Sequence, residues 1–226
     1  MTYDLFIGDR LFSSWSLRGW LMLKAFGLRC NTHMTGLYTG TFKSDLASLH
    51  PARYVPVLRT LGGSVVGESL AIAETLAERH PDAGHWPGDA ALRARARWLC
   101  AEMTSGFSAL RAECPMQLSH VNAGFLPSAE VQADVARIET IWAAARELAT
   151  EGEWLFGDYC LVDVFYTPVA ARIIGYDLAV NSEARDYCMR LISTGPVKAW
   201  RALGLEVNYN PFPYPNYPPR TDWPVT

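Results

Sequence analysis

Residues 12–18 read FSSWSLR, between a short aromatic run, TYDLFIG at 2–8, and an apolar stretch that continues to Phe26. The first run has the length and partial alternation of a strand. The stretch after the serines carries Leu17, Trp20, Leu21 and Leu23 at near-helical spacing, with Gly27 just beyond as a carboxyl-terminal stop. Strand, polar turn and helix in this order open an α/β unit. Serine at a helix start most often caps it, so Ser13, Ser14 and Ser16 are capping residues in the first instance. Hydroxyls at the positive end of a helix are also suited to hold an anion.

Downstream, YVPVLRT at 54–60 and SVVG at 64–67 are two β-branched runs joined through Leu61 and Gly62-Gly63, which predicts a tight hairpin. Glu68-Ser69 then opens a helix with Leu70, Ile72, Ala73 and Leu76 on one face, ending at Arg79-His80 before Pro81. Residues 1–80 are thereby expected to form a compact α/β domain. PDAGHWPGD at 81–89 reads as a linker, and beyond it no stretch has the pattern of a strand. Segments 90–113, 128–150, 161–175, 183–194 and 196–204 have helical composition and spacing, which predicts an all-helical domain over 90–209. The last segment, 210–226, carries Pro211, Pro213, Pro215, Pro218, Pro219 and Pro224 among aromatic residues, so it is expected to be an extended tail packed against the body.

A chain of 226 residues has room for one large or two small domains, each with a real core. Charged residues make up 19 % with a net charge of −3, which lacks the basic excess that phosphate-backbone binding requires. Nucleic acid is therefore not an expected partner. No apolar run approaches the roughly 18 residues of a membrane span, and a cytoplasmic protein is expected. Cys30, Cys100, Cys114, Cys160 and Cys188 are odd in number, far apart and without a CxxC pair. That spacing suits free thiols in a reducing compartment better than a disulfide framework or a zinc site.

Three local patterns together resemble the amino-terminal half of a bacterial, zeta-like, serine-type glutathione S-transferase. FSSWSLR is similar to a Ser-Ser-x-Ser-x-Arg signature whose leading serine contacts the glutathione sulfur; position by position that serine is Ser13, followed by Ser14, Trp15, Ser16 and Arg18. Val55-Pro56 stands where the family places a cis-proline whose preceding residue offers its backbone to the cysteinyl segment. Gly67-Glu68-Ser69-Leu70-Ala71-Ile72 is similar to the turn that grips the γ-glutamyl group. In the second half, Gly157 to Asp163 resembles a capping box with Cys160 in place of serine. The resemblance implies a thioredoxin-like amino-terminal domain followed by an all-α domain, glutathione as co-substrate, no metal, and a homodimer. It implies catalytic Ser13 and glutathione contacts from Ser14, Arg18, Val55, Pro56, Glu68, Ser69 and Arg111. Trp15, Met103, Phe107 and Met116 are the expected substrate pocket. The chain departs from the pattern at Trp15, where the family has cysteine, and at Arg53-Tyr54, before Val55-Pro56.

The chemistry asked of such a site is legible without the family. A free thiol of pKa about 8.5 is only a few per cent thiolate at neutral pH, and the thiolate is the nucleophile. Lowering that pKa by about two units takes roughly 2.7 kcal/mol, within reach of one charged hydrogen bond and a helix amino terminus. The expected reaction is attack of the bound thiolate on a small electrophile. Two alternatives accompany it: glutathione-dependent cis-trans isomerisation of a maleylacetoacetate-type diacid, and a non-catalytic binding module of the same fold. A thioredoxin-like reductase is excluded, because FSSWS holds no cysteine where a redox thiol would stand.

Overall fold

The computed structural model describes residues 2–37, 39–149, 151–207 and 217–224. Strand β1, Tyr3–Ile7, alternates buried and half-buried residues, and helix α1, Ser14–Lys24, follows with Ser13 as its cap. Strand β2, Cys30–Met34, lies parallel to β1 from Tyr3↔Cys30 to Ile7↔Met34. Its sequence, CNTHM, has no apolar alternation to announce a strand; it forms at the sheet edge because the backbone pairs there. After α2, Phe42–Asp45, the hairpin expected from the two β-branched runs forms as β3, Val57–Arg59, and β4, Val65–Val66. The order β2-β1-β3-β4 is mixed, with β1–β3 and β3–β4 antiparallel. Helix α3, Ser69–Arg79, packs beside α1.

The remaining helices are α4, Ala90–Ser105, α5, Ser108–Glu113, α6, Ala129–Arg146, α7, Leu161–Gly175, α8, Ser182–Ile192, and α9, Gly195–Leu205. The helix expected to run unbroken from 90 to 113 is interrupted at Gly106–Phe107. Phe107 takes a left-handed φ of 55°, and a Cβ on Gly106 would stand 2.8 Å from the Glu102 carbonyl oxygen. The expectation of no strand beyond the linker is also corrected. β5, His120–Asn122, pairs antiparallel with β6, Arg220–Asp222. Three-residue strands are too short to show a period, and their partner is almost a hundred positions away. Within the tail, residues 210–216, 225 and 226 lie outside the described part. Tyr217 sets its ring 4.9 Å from Phe125, and Trp223 is buried with the Arg201 guanidinium over it. Among the described residues no helix is long and apolar enough to cross a membrane.

One continuous core joins the sheet to the helices: Leu5, Leu17, Leu21, Ile72 and Leu76 belong to the same apolar cluster as Cys100, Phe165 and Trp200. Helix α7 is its axis, buried along its whole length and packed against α1, α4 and α8. Asp163 secures its start, fully buried, accepting the Cys160 N–H at 2.8 Å and the Tyr187 hydroxyl at 2.7 Å. Burial pushes this carboxyl up to about 6 despite those hydrogen bonds. On the sheet side, Gly19 lets α1 close on the hairpin, since a Cβ there would lie 2.7 Å from the Pro56 Cβ. That contact fixes how far the α1 amino terminus stands from the segment around Pro56.

Candidate active site

A cavity of about 910 Å³ opens where the amino ends of α1 and α3 approach the segment before β3. It brings together eight of the residues singled out in the sequence: Ser13, Ser14, Trp15, Val55, Pro56, Glu68, Ser69 and Arg111. Phe12, Phe42, Tyr54 and Thr104 also line it.

At the α1 end the two serines are held differently. Ser13 is the cap: its Oγ accepts the Ser16 N–H at 3.3 Å and its hydroxyl donates to Ser16 Oγ at 2.7 Å. Ser16 Oγ in turn accepts the Gly8 N–H at 2.9 Å, so this network closes on itself. Ser14 is held by two guanidinium groups. Arg172 Nη2, from α7, donates to Ser14 Oγ at 3.3 Å, and Arg18 Nη1 donates to the Ser14 carbonyl at 3.4 Å.

The structure moves Arg18 out of the expected ligand-contacting set. It is 1 % exposed, does not line the cavity, and donates through Nε to the Phe165 carbonyl at 2.9 Å. Its side chain runs into the core because α7 packs directly on that face of α1 and offers carbonyl acceptors there. Burial, then the positive charges of Arg172 and Arg111, push the Arg18 guanidinium well below its usual pKa. Arg18 and Arg111 also stack on Trp15, at 4.3 and 5.3 Å from ring centroids, which fixes the half-buried indole in the cavity wall.

At the α3 end, the Val55–Pro56 bond is cis, as the resemblance implies. Glu68 follows β4 with φ 62° and ψ 129°, a region that costs a non-glycine residue about 1–3 kcal/mol. It precedes α3 without giving a side-chain cap, and neither its carboxylate nor the Ser69 hydroxyl bonds to another described residue. The first N–H groups of α3 thus receive no side-chain capping oxygen from Glu68.

Three expected pocket residues are corrected. Met103, Phe107 and Met116 are 1 %, 6 % and 1 % exposed and belong to the apolar core. Met103 lies on α4, which packs against α7, whereas Phe107 and Met116 stand in the connections before and after α5, and none of the three lines the cavity. Arg111 does reach the cavity, because the break at Gly106 reorients α5. Its Nη1 donates to the Thr104 and Gly106 carbonyls at 3.3 and 3.4 Å, closing the end of α4. Arg172 escaped the sequence reading, although a lone cation in the otherwise apolar run VAARIIG is a signal that it serves a buried partner.

Residues 12–79 match the family model for the amino-terminal domain of glutathione S-transferases. A probable maleylacetoacetate isomerase from Caenorhabditis elegans is 37 % identical over 113 residues, and the match spans about half of each chain, 50 % of this one and 51 % of that one. A glutathione transferase homologue from Burkholderia, solved with bound glutathione, shares 25 % identity over 92 % of this chain and all of its own, with a TM-score of 0.68. A sphingomonad glutathione S-transferase in complex with glutathione has the same fold, with a TM-score of 0.64 at 19 % identity over 90 % of this chain and all of its own.

Proposed function

We propose, from the premise that residues 12–79 are a glutathione S-transferase amino-terminal domain set in that family's two-part architecture, that this protein binds glutathione and joins its sulfur to a small electrophile. One observation carries the reading: three separate stretches of chain meet on one cavity, and each presents a group suited to a different part of glutathione. The γ-glutamyl carboxylate goes to the Ser69 hydroxyl and the free N–H groups of α3, and its ammonium to Glu68. The cysteinyl main chain lies along Val55 beside Pro56. The sulfur comes to the serines at the start of α1. Arg111 supplies a cation for a carboxylate on the opposite wall. Bound there, the thiol loses its proton to water and the thiolate attacks the electrophilic carbon, with the serine hydroxyl donating to sulfur rather than acting as a covalent nucleophile.

Retention on immobilised glutathione, followed by turnover with a panel of electrophiles, tests the reading; a protein that passes the resin unretained and turns over none of them refutes it. Isomerisation is the second reading, favoured by the name of the C. elegans relative. Maleylacetone in the same panel separates it from conjugation, and glutathione retention without any turnover leaves the binding module. A homodimer in the cytoplasm completes the proposal, and light scattering at micromolar concentration distinguishes the dimer from a monomer.

A further inference from the structure

The two serines at the start of α1 are adjacent in sequence, both nearly buried and both on the cavity wall, yet their hydroxyl hydrogens have different fates. Ser13 spends its hydrogen on Ser16 Oγ at 2.7 Å while accepting the Ser16 N–H. To donate to a ligand it must give up a buried hydrogen bond to Ser16. Ser14 Oγ accepts from Arg172 Nη2, and its own hydrogen has no acceptor among the described residues. A hydroxyl whose oxygen accepts from a cation is polarised toward giving its hydrogen, so the arrangement strengthens the donor that remains free.

Ser14 is also fixed more firmly than a surface serine. Arg18 holds its carbonyl and Arg172 its hydroxyl, and the two arginines cross-link α1 and α7 in opposite directions: Arg18 reaches from α1 to Phe165 O, Arg172 from α7 to Ser14. Arg172 is itself oriented by the Cys114 and Pro168 carbonyls at 2.9 and 3.1 Å. Both guanidinium groups are buried, which places positive charge behind Ser14 with little solvent to screen it.

We propose that Ser14, and not Ser13, donates the hydrogen bond that holds the glutathione sulfur as a thiolate, with Arg172 as its positioning residue and Ser13 as the helix cap. The proposal rests on the reading that this cavity binds glutathione. The step is an ionisation only: the S–H bond breaks, the proton leaves to solvent, and the sulfur keeps the electron pair facing the Ser14 hydroxyl and the charge behind it.

The deciding experiment titrates the ultraviolet absorbance of the bound thiolate against pH in the parent and in Ser13→Ala, Ser14→Ala, Arg172→Lys and Arg172→Met, with glutathione affinity and thermal midpoint measured for each. Ser14→Ala should raise the bound thiol pKa by about one to two units and lower kcat/KM at neutral pH roughly 10- to 100-fold. Ser13→Ala should lower the thermal midpoint and move the thiol pKa much less. Arg172→Lys, which keeps a donor cation, should lie closer to the parent in thiol pKa than Arg172→Met; equal thiol pKa in both, with only stability lost, makes Arg172 a structural residue and overturns its assigned part. A thiol pKa raised in Ser13→Ala and unchanged in Ser14→Ala, or raised in neither, overturns the assignment of Ser14 while glutathione binding by the parent keeps the wider reading. A parent that binds no glutathione overturns both.

Discussion

Helices α1 and α3 point their amino termini at the same cavity and finish them in opposite ways. α1 is closed by its own sequence: Ser13 accepts the Ser16 N–H, and Ser16 takes both the Ser13 hydrogen and the Gly8 N–H. α3 is left open: Glu68 sits at φ 62° with no side-chain cap, and Ser69 stands at the first helical position with its hydroxyl bonded to no described residue. A capped terminus stabilises the fold and has little left to offer a ligand. An uncapped one costs stability and keeps its N–H groups and dipole available for an anion. In the proposed reading the cavity uses one terminus as a frame, from which Ser14 projects, and the other as the binding element.

A third terminus calibrates the comparison. α7 starts at a buried carboxylate that serves two backbone N–H groups, Cys160 at 2.8 Å and Leu155 at 3.5 Å, together with the Tyr187 hydroxyl. Asp163→Ala should therefore be the most damaging of these changes, costing about 3 kcal/mol or more as buried donors lose their acceptor, read from denaturant midpoints. Its titration has a definite sign. The folded carboxyl is raised from 3.8 to about 6, so between those values the folded state holds more protons than the unfolded one, and this group's contribution to stability falls as pH rises through that window. The advantage of the parent over Asp163→Asn should shrink from about pH 4 to about pH 6 and then level off. An advantage that grows with pH would contradict the raised carboxyl.

Next in size is Gly19→Ala, whose methyl group meets the Pro56 ring at 2.7 Å and pushes the frame away from the segment beside it. Overpacking of this kind costs about 1–3 kcal/mol. Calorimetry should show a lowered midpoint, with turnover falling further than glutathione affinity because the sulfur end is displaced. Unchanged stability would mean that α1 moves off the hairpin at no cost.

The paired change Ser13→Ala and Ser69→Ala tests the contrast directly. Removing the cap should cost about 1 kcal/mol of stability, whereas removing Ser69 should leave stability nearly intact and weaken glutathione binding about tenfold by titration calorimetry. If the two variants lose stability equally, α3 is not an open terminus. Glu68→Gly carries the smallest expected effect and the opposite sign. Relief of the strained backbone should stabilise the protein by up to about 1 kcal/mol while glutathione binding weakens, and a destabilised variant would place the strain elsewhere.

What the sequence by itself determined was local. Serines before an apolar run, two β-branched runs about a glycine pair, and Glu-Ser before a periodic segment are governed by neighbours a few residues away, and each became the element it announced. Helix α7 was legible to its end residues because both its capping carboxylate and its apolar run lie within it. The tertiary structure alone decided the rest. CNTHM became a strand by pairing with β1, and HVN by pairing with residues a hundred positions away, since backbone hydrogen bonding across strands needs no side-chain pattern. Met103, Phe107 and Met116 went to the core and Arg18 behind the site, because a residue's place along the chain does not say what its side chain meets once the elements pack. The distinction between Ser13 and Ser14 was decided in the same way. It depends on an arginine brought from α7, and only packed helices carry a guanidinium across 158 residues of chain to one hydroxyl and not to its neighbour.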